Sequence, residues 1–493
     1  MRAPVSALQE ESMSRPEPAP RAADPQGALR VAVVGGGLAG LTAAPAVRTE
    51  AARRGVRLEL AVYESGDRAG GQLTTLREGG YLVDWGANAF RTGLGPSLDL
   101  LDELGLSSER VEASRAANRR FVFHGGRLHA FPSDPIGLLG FRPLSLAGRL
   151  RVMAEPIVAR RVAHEESVHA YAARHVGSEA AQVLLGTMVR GVYGGDARAL
   201  SVDAAFPVMR TMEREHRSLV VAGVAGARAR KRLGKTTWSL ARGMGSLLEA
   251  LADTLAPDVH LRSPVAALTN SEGGDGRAYR LRLADGQERV ADAVVVATPP
   301  TQAARLLERL DVAAAGEIGG IATAAVAVVA LGYPKDAFRR PPEGYGFLVA
   351  PGEGPRILGA LFESNLFPNR APAGHVLVRA ILGGVERPDV ATTAEAVLVD
   401  DVRAALAAAL GSIGEPTRVW VEPRAGAIPQ YLLGHRERIA RLDARLARYP
   451  GVRVIGNAYR GVAVGSIVEE ARAVARTLLD GALRRREPEA LAV

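Results

Sequence analysis

The chain has 493 residues, 47% of them apolar and 23% charged, a length that exceeds one simple core and predicts two or three globular domains. It contains no Cys, which excludes disulfides, Cys-ligated zinc, iron–sulfur clusters, Cys nucleophiles and a Cys-linked flavin. The net charge of +9 is almost wholly Arg, with only Lys231, Lys235 and Lys335 as Lys; scattered and not interleaved with aromatics, it argues against a nucleic-acid groove and suits an anionic small substrate.

The first 28 residues are rich in Pro, Ala, Glu and Arg and lack the apolar centre of a signal peptide, so a disordered extension is expected. Next comes Arg30-Val-Ala-Val-Val-Gly-Gly-Gly-Leu-Ala-Gly40, a buried strand running into a helix, with glycines where a diphosphate must touch backbone. Gly35 permits the tight turn, Gly37 leaves room for the diphosphate, and Gly40 lets the helix sit close to the strand. Glu64 ends the next apolar strand, Leu58 to Tyr63, where a carboxylate can accept from a ribose hydroxyl. Strand, glycines, helix and acid together predict a dinucleotide site. Pro45 falls inside the helix predicted from Leu38 to Arg54, and a kink is expected there. Arg68-Ala-Gly-Gly71 is a second glycine loop, able to press against the far half of a bound FAD. Asp84-Trp-Gly-Ala-Asn-Ala89, after the strand Tyr81–Val83, is a third backbone-rich loop. Phe121 to Phe131 alternates around Gly125-Gly126 and reads as a β-hairpin.

From Leu144 to Ala227 the pattern is helical. His164-Glu-Glu-Ser-Val-His169 has one residue too many for a zinc motif, the nine His do not cluster at ligand spacing, and no metal is expected. Asp134 to Phe141, beside Arg142, Arg149 and Arg151, has two open readings, an interfacial membrane patch or core packing under a loop. Ala293-Val-Val-Val-Ala-Thr-Pro-Pro300 is a buried strand stopped by prolines. Strands at Ile321–Leu331, Tyr345–Val349, Arg356–Phe362 and Val376–Leu382 predict an antiparallel sheet, followed by a helix over Thr392 to Leu410. Ile321–Leu331 is the longest apolar run and is too short to span a membrane. The chain closes with strand Val452–Ile455, a glycine-spaced loop and a helix from Ser466 to Leu483, with Ser466 as N-cap. That helix N-terminus would favour negative charge on a flavin ring. Nucleotide-type strands at both ends of the chain predict a discontinuous nucleotide domain.

Four stretches together resemble the protoporphyrinogen oxidase family, FAD-dependent members of the flavin amine oxidase superfamily, with their coproporphyrinogen-oxidising relatives. They are the glycine fingerprint with Arg68-Ala-Gly-Gly71, Asn118-Arg-Arg-Phe-Val-Phe123, Ile428-Pro-Gln-Tyr-Leu-Leu-Gly-His435 and Gly456-Asn-Ala-Tyr-Arg-Gly-Val-Ala-Val464. The resemblance implies an α/β chain with a discontinuous Rossmann-like FAD-binding domain (29–98, 236–304, 445–485), a mixed-sheet substrate domain (99–130, 305–444) and a helical, membrane-associating domain (131–235). It implies FAD as cofactor, held by Gly35, Gly36, Gly37, Leu38, Ala39, Gly40, Glu64, Arg68, Gly71, Gln72, Gly86, Ala87, Asn88, Ala89, Val265, Asn457, Val462, Ala463 and Val464. For the substrate it implies Arg120 on a propionate, with Asn88, Gly346, Leu348 and Ile381 around the macrocycle. No side-chain base is singled out; the flavin does the chemistry. The implied reaction takes six electrons from protoporphyrinogen IX in three two-electron steps, with O2 as acceptor and H2O2 as product. The alternatives are coproporphyrinogen III as substrate, a flavin amine oxidase or carotenoid desaturase, or a non-enzymatic flavoprotein that binds FAD or haem only for regulation. A cytoplasmic location, peripheral contact with the inner face of the membrane and a homodimer are compatible with it. The chain departs from the family pattern at Pro45, Asn88 and Gly465-Ser466.

Overall fold

The strand Leu29–Val34 is apolar on both faces, as the middle of a parallel sheet requires. In the computed structural model, which describes residues 27–91, 95–132, 137–233, 237–270 and 278–486, it is the central strand of a five-stranded parallel sheet. The order is Val259–His260, Leu58–Tyr63, Leu29–Val34, Ala293–Val296, Val452–Val454. Its strands therefore come from widely separated parts of the chain. Successive side chains of Leu29–Val34 enter two cores. Val31 and Val33 pack with the helices Leu38–Arg53, Gly245–Leu255 and Val464–Arg486. Ala32 and Val34 pack under a three-stranded antiparallel sheet and the helices Pro300–Leu307, Val312–Gly319 and His435–Leu446. Each valine so buried contributes about 1.5–3 kcal/mol.

The helix Leu38–Arg53 continues through Pro45. Helix Val464–Arg486 begins two residues before Ser466, so Ser466 lies inside the first turn and is not the N-cap. The hairpin Phe121–His124 with Arg127–Ala130 turns on Gly125 and Gly126, at φ +60° and +75°, where glycine carries no steric penalty.

The second large sheet has seven strands, in the order Arg418–Pro429, Thr323–Pro334, His375–Gly383, Gly359–Phe362, Gly346–Val349, Phe121–His124, Arg127–Ala130. Pairing is antiparallel except between Gly346–Val349 and Phe121–His124, which run parallel. The sheet is therefore mixed, as the family resemblance implies, and the four strands read from the sequence pair antiparallel within it. Its longest unpredicted strand, Arg418–Pro429, contains Pro423, Gly426 and Pro429, which disguise it in the sequence. It lies at the sheet edge, where a missing backbone donor is tolerated. One face of the sheet is covered by the helix Glu395–Leu410.

Residues 146–233 form helices packed around two small apolar clusters. Phe141 is buried in one of them and Leu138 packs against it, so this part of the 134–141 stretch is core; residues 134–136 lie outside the described residues. Arg151 caps the carbonyls of Arg174 and His175 and is not free to face lipid.

A buried polar cluster ties these helices together. Glu155 is fully buried and accepts from His175 Nδ1 (2.7 Å), Ser218 Oγ and the N–H groups of Leu219 (2.8 Å) and Val220 (3.2 Å). It thereby satisfies the N-terminus of the helix Leu219–Leu233. Burial alone would raise the Glu155 pKa, but the hydrogen bonds from His175 and Ser218 outweigh it and hold the group below the usual carboxylate range. A depressed folded-state pKa stabilises above the unfolded value of about 4.3 and loses that contribution as the pH falls further. Glu155→Ala is expected to cost about 3 kcal/mol at neutral pH in denaturant unfolding, because it strands buried donors. Glu155→Gln should flatten the acid limb of stability below about pH 4.3. A variant with the wild-type acid limb would remove Glu155 from this role.

Candidate active site

The sheet order reverses at Leu29–Val34, whose two neighbours belong to different connections of the chain, and a crevice opens beyond the carboxyl ends of such strands. Gly35 turns the chain there at φ +112°; a Cβ would stand 2.7 Å from the Ala297 carbonyl oxygen, at the end of the adjacent strand. A Cβ on Gly40 would stand 1.9 Å from Gly35 O. These two glycines are demanded by the protein itself. Gly37 differs. It is the N-cap of helix Leu38–Arg53 with no side-chain cap, and a Cβ would meet only Gly71 Cα, at 3.9 Å. Space and free N–H donors are left for an anion.

The second glycine loop is tied to the first, since Gly70 N donates to Gly36 O at 2.8 Å. Glu64 accepts from Gly36 N (2.8 Å) and Gly66 N (2.7 Å), so the carboxylate also buttresses the glycine turn.

A cavity of about 490 Å³ runs from this turn to the C-terminal loop. Of the residues named from the sequence, Gly35, Gly37, Leu38, Ala39, Glu64, Gly71 and Gln72 line it. So do Gly86, Ala87, Val265, Asn457, Val462 and Val464. Gly36, Gly40, Arg68, Asn88, Ala89 and Ala463 stand outside the lining. The C-terminal loop brings the N-terminus of helix Val464–Arg486 to the wall through Val464 and Ile467.

Asn88 is engaged elsewhere. Its side-chain amide donates to both oxygens of Glu363, at 3.0 Å each, and its backbone carbonyl accepts from Ser239 Oγ at 2.7 Å. Glu363 in turn pairs with Arg379 at 2.6 Å, both buried, and Arg379 Nη1 donates to Gly86 O at 2.9 Å. Arg424 Nη1 donates to Gln72 O at 2.7 Å. Two guanidinium groups from the large sheet thus hold the two glycine-containing lips of the cavity. Burial pulls Arg424 below the ordinary arginine range, with Arg68 and Arg379 adding to the effect.

Apart from Asn88, the residues named for the macrocycle, Arg120, Gly346, Leu348 and Ile381, fall on one sheet face or at its end. Leu348, Gly359, Ile381 and Val328 lie side by side across four strands, opposite the face covered by Glu395–Leu410. Val122 is beside Leu348, and Arg120 lies two residues before Val122. Arg120 is exposed, its guanidinium 4.8 Å from the Tyr345 ring centroid. Leu348 and Ile381 are half-buried, and helix Thr187–Tyr193 packs on Leu348 at Gly191. Gly346, at φ +138°, has a protein reason for being glycine, since a Cβ would stand 2.1 Å from Ala360 O. None of these four lines the 490 Å³ cavity, which meets the sheet at Gly426, Ala427 and Pro429.

The family model described as flavin containing amine oxidoreductase matches residues 38–479. The chain belongs to this flavin-containing amine oxidoreductase family. It is 32% identical over 484 residues to the human protoporphyrinogen oxidase, covering 91% of this chain and 98% of that one. It is 28% identical to the coproporphyrinogen III oxidase of Bacillus subtilis strain 168, covering 91% and 97%. A solved structure from Exiguobacterium sp. 255-15 superposes with a TM-score of 0.80 at 24% identity, covering 92% and 99%, which establishes the shared fold.

This family member is an FAD-dependent oxidoreductase. The cavity fits that cofactor on grounds internal to the chain. Two polar atoms of lining residues, Thr298 Oγ1 and Tyr459 OH, are buried with no hydrogen-bond partner. Such atoms cost free energy unless a ligand satisfies them. Sequence reasoning missed both. Thr298 stands two residues after the strand Ala293–Val296, and its place at the carboxyl end of that apolar strand was the available signal.

The glycines separate cofactor from fold. Gly37→Val should leave the folded protein intact but unable to fill with FAD at concentrations that saturate the wild type. Gly40→Ala should destabilise the fold itself by about 2 kcal/mol or more, from overpacking against Gly35 O. FAD titration alongside thermal unfolding checks both, and equal behaviour of the two variants would refute the distinction.

Proposed function

We propose that the protein oxidises protoporphyrinogen IX to protoporphyrin IX, with FAD as cofactor and O2 as terminal acceptor giving H2O2. One observation carries this reading: a single crevice joins the opening and closing segments of a chain that resembles porphyrinogen oxidases over about nine-tenths of its length.

FAD bound in the crevice supplies a two-electron acceptor for hydride removed from the macrocycle. The proposed holders are the named residues that line it: Gly35, Gly37, Leu38, Ala39, Glu64, Gly71, Gln72, Gly86, Ala87, Val265, Asn457, Val462 and Val464. Among the lining residues Glu64 is the only carboxylate, tied to Gly36 and Gly66, and there is no His, Lys or Arg. No side-chain base is singled out, and none is needed where the pyrrole N–H protons can leave to water. The protein's task is then orientation and charge. The N-terminus of helix Val464–Arg486 favours electron density placed beside it. Leu348 and Ile381 offer an apolar wall to the macrocycle, and Arg120, exposed at the start of the strand Phe121–His124, offers a bidentate partner to a propionate.

The Bacillus relative acts, by its name, on coproporphyrinogen III, which makes that substrate the second reading. It carries four carboxylates where protoporphyrinogen carries two. Side-by-side turnover of the two decides between them.

No helix among the described residues is long and apolar enough to cross a membrane. We infer peripheral contact through Leu146, Leu150 and Ile157, which are 70%, 58% and 85% exposed. Co-sedimentation with anionic liposomes that persists unchanged in a Leu146→Ser, Leu150→Ser, Ile157→Ser variant would overturn this.

Freshly reduced protoporphyrinogen should bleach the bound flavin under anaerobic conditions, and a colourless purified protein would refute the assignment. Arg120→Ala should raise KM about tenfold, the weight of one charge-assisted pair, with FAD content unchanged. An unaltered KM would clear Arg120 of substrate binding.

A further inference from the structure

The stretch Ile428-Pro-Gln-Tyr-Leu-Leu-Gly-His435 carries the family resemblance but is barely represented in the cavity wall, where only Pro429 appears. Its side chains act one layer behind that wall. Tyr431 is 1% exposed and its hydroxyl bridges two points of the C-terminal loop, donating to Asn457 O at 2.7 Å and accepting from Gly461 N at 2.8 Å. The His435 ring stacks on the Tyr431 ring, with centroids 4.1 Å apart and planes 14° from parallel. His435 Nε2 lies 3.0 Å from Tyr459 O. A carbonyl only accepts, so Nε2 carries the proton. Burial holds His435 below the ordinary histidine range, which keeps the ring neutral with that proton in place.

The loop has little means of holding itself. Glycines at φ +132° and +159°, Gly456 and Gly461, stand at its two ends, and the one internal backbone bond is a 3.3 Å contact from Tyr459 N to Gly456 O. Its remaining anchors come from other elements. Glu470 accepts from Gly456 N at 3.0 Å, and Arg460 pairs with Glu470 and Asp443. On its other side the 428–435 stretch grips the helical region. Ser201 N donates to Tyr431 O, Gly434 N to Glu165 Oε2 and Gln430 Nε2 to Tyr193 O, at 2.7–2.8 Å.

We propose that Tyr431 and His435 are positioning residues for the flavin: they clamp Asn457, Tyr459 and Gly461 and so fix the loop that forms one end of the cavity. This rests on the FAD reading above. Neither side chain lines the cavity, so the effect passes through the loop backbone.

The test is titration of apo-protein with FAD, read by quenching of flavin fluorescence and by the fine structure of the visible flavin band. Tyr431→Phe keeps the stacked ring and removes both bridging bonds. It should raise the FAD Kd about tenfold or more, the weight of two neutral hydrogen bonds, and alter the band shape. Tyr171→Phe is the control. It removes an equally buried hydroxyl whose partner, Met209 O, lies in the helical region, and should leave Kd and spectrum as in wild type. His435→Gln retains a donor near Nε2 and should bind FAD within about threefold of wild type, while His435→Leu should follow Tyr431→Phe. Wild-type Kd and spectrum in Tyr431→Phe would overturn the proposal. If that variant does not fold, equal Kd values for His435→Gln and His435→Leu would overturn it instead. Wild-type protein that takes up no FAD would instead sink the flavin reading, a result distinct from either.

Discussion

The structure depends on the pairing of Ala293–Val296 between Leu29–Val34 and Val452–Val454. That ladder joins the opening, middle and closing parts of the chain in one sheet. It sets Gly35 against Ala297, and the closeness of that contact fixes where the crevice lies. Every later feature of the site is referred to this point. The second glycine loop is tied to the first through Gly36 and Gly70, and the C-terminal loop arrives with the last strand of the same sheet.

Around this frame the polar groups are spent on holding backbone. Glu64 holds Gly36 and Gly66, Arg379 holds Gly86, Arg424 holds Gln72, and Tyr431 holds Asn457 and Gly461. The cavity itself keeps few titratable groups. A site built this way suits a reaction whose reactive electrons belong to a bound cofactor, because the protein then contributes shape and fixed dipoles. The buried pair Glu363–Arg379 illustrates the cost. Such a pair adds little net stability, but it fixes Asn88 and Gly86 relative to a different sheet.

Much of the frame was legible in the sequence because its signals are local. Gly35, Gly37, Gly40 and Glu64 sit at fixed offsets from two apolar strands, and Gly125-Gly126 marks its hairpin within ten residues. What was not legible is non-local or disguised. The Asn88–Glu363 contact joins residues 275 apart, and nothing near Asn88 announces its partner. The strand Arg418–Pro429 was hidden by two prolines and a glycine that only an edge position tolerates. Ser466 was read as a cap because it stands where the glycine-spaced loop leads into the helix, yet the helix starts at Val464. For Phe141 the sequence leaves an interfacial patch and core packing both open, and the packing of Val152 and Ala172 around it decides for the core. The roles of Tyr431 and His435 needed coordinates, since a tyrosine bound to loop backbone has the same sequence signature as one bound to substrate.

The edge position of Val452–Val454 has a consequence for how the protein is made. Synthesis proceeds from the N-terminus, and early segments begin to fold before later ones emerge. The glycine turn and its helix leave the ribosome long before the strand, loop and helix that close the crevice. The nascent chain therefore holds half a binding cleft for most of its synthesis. A polypeptide cut shortly before residue 452 would therefore keep the glycine turn and have no closed receptacle.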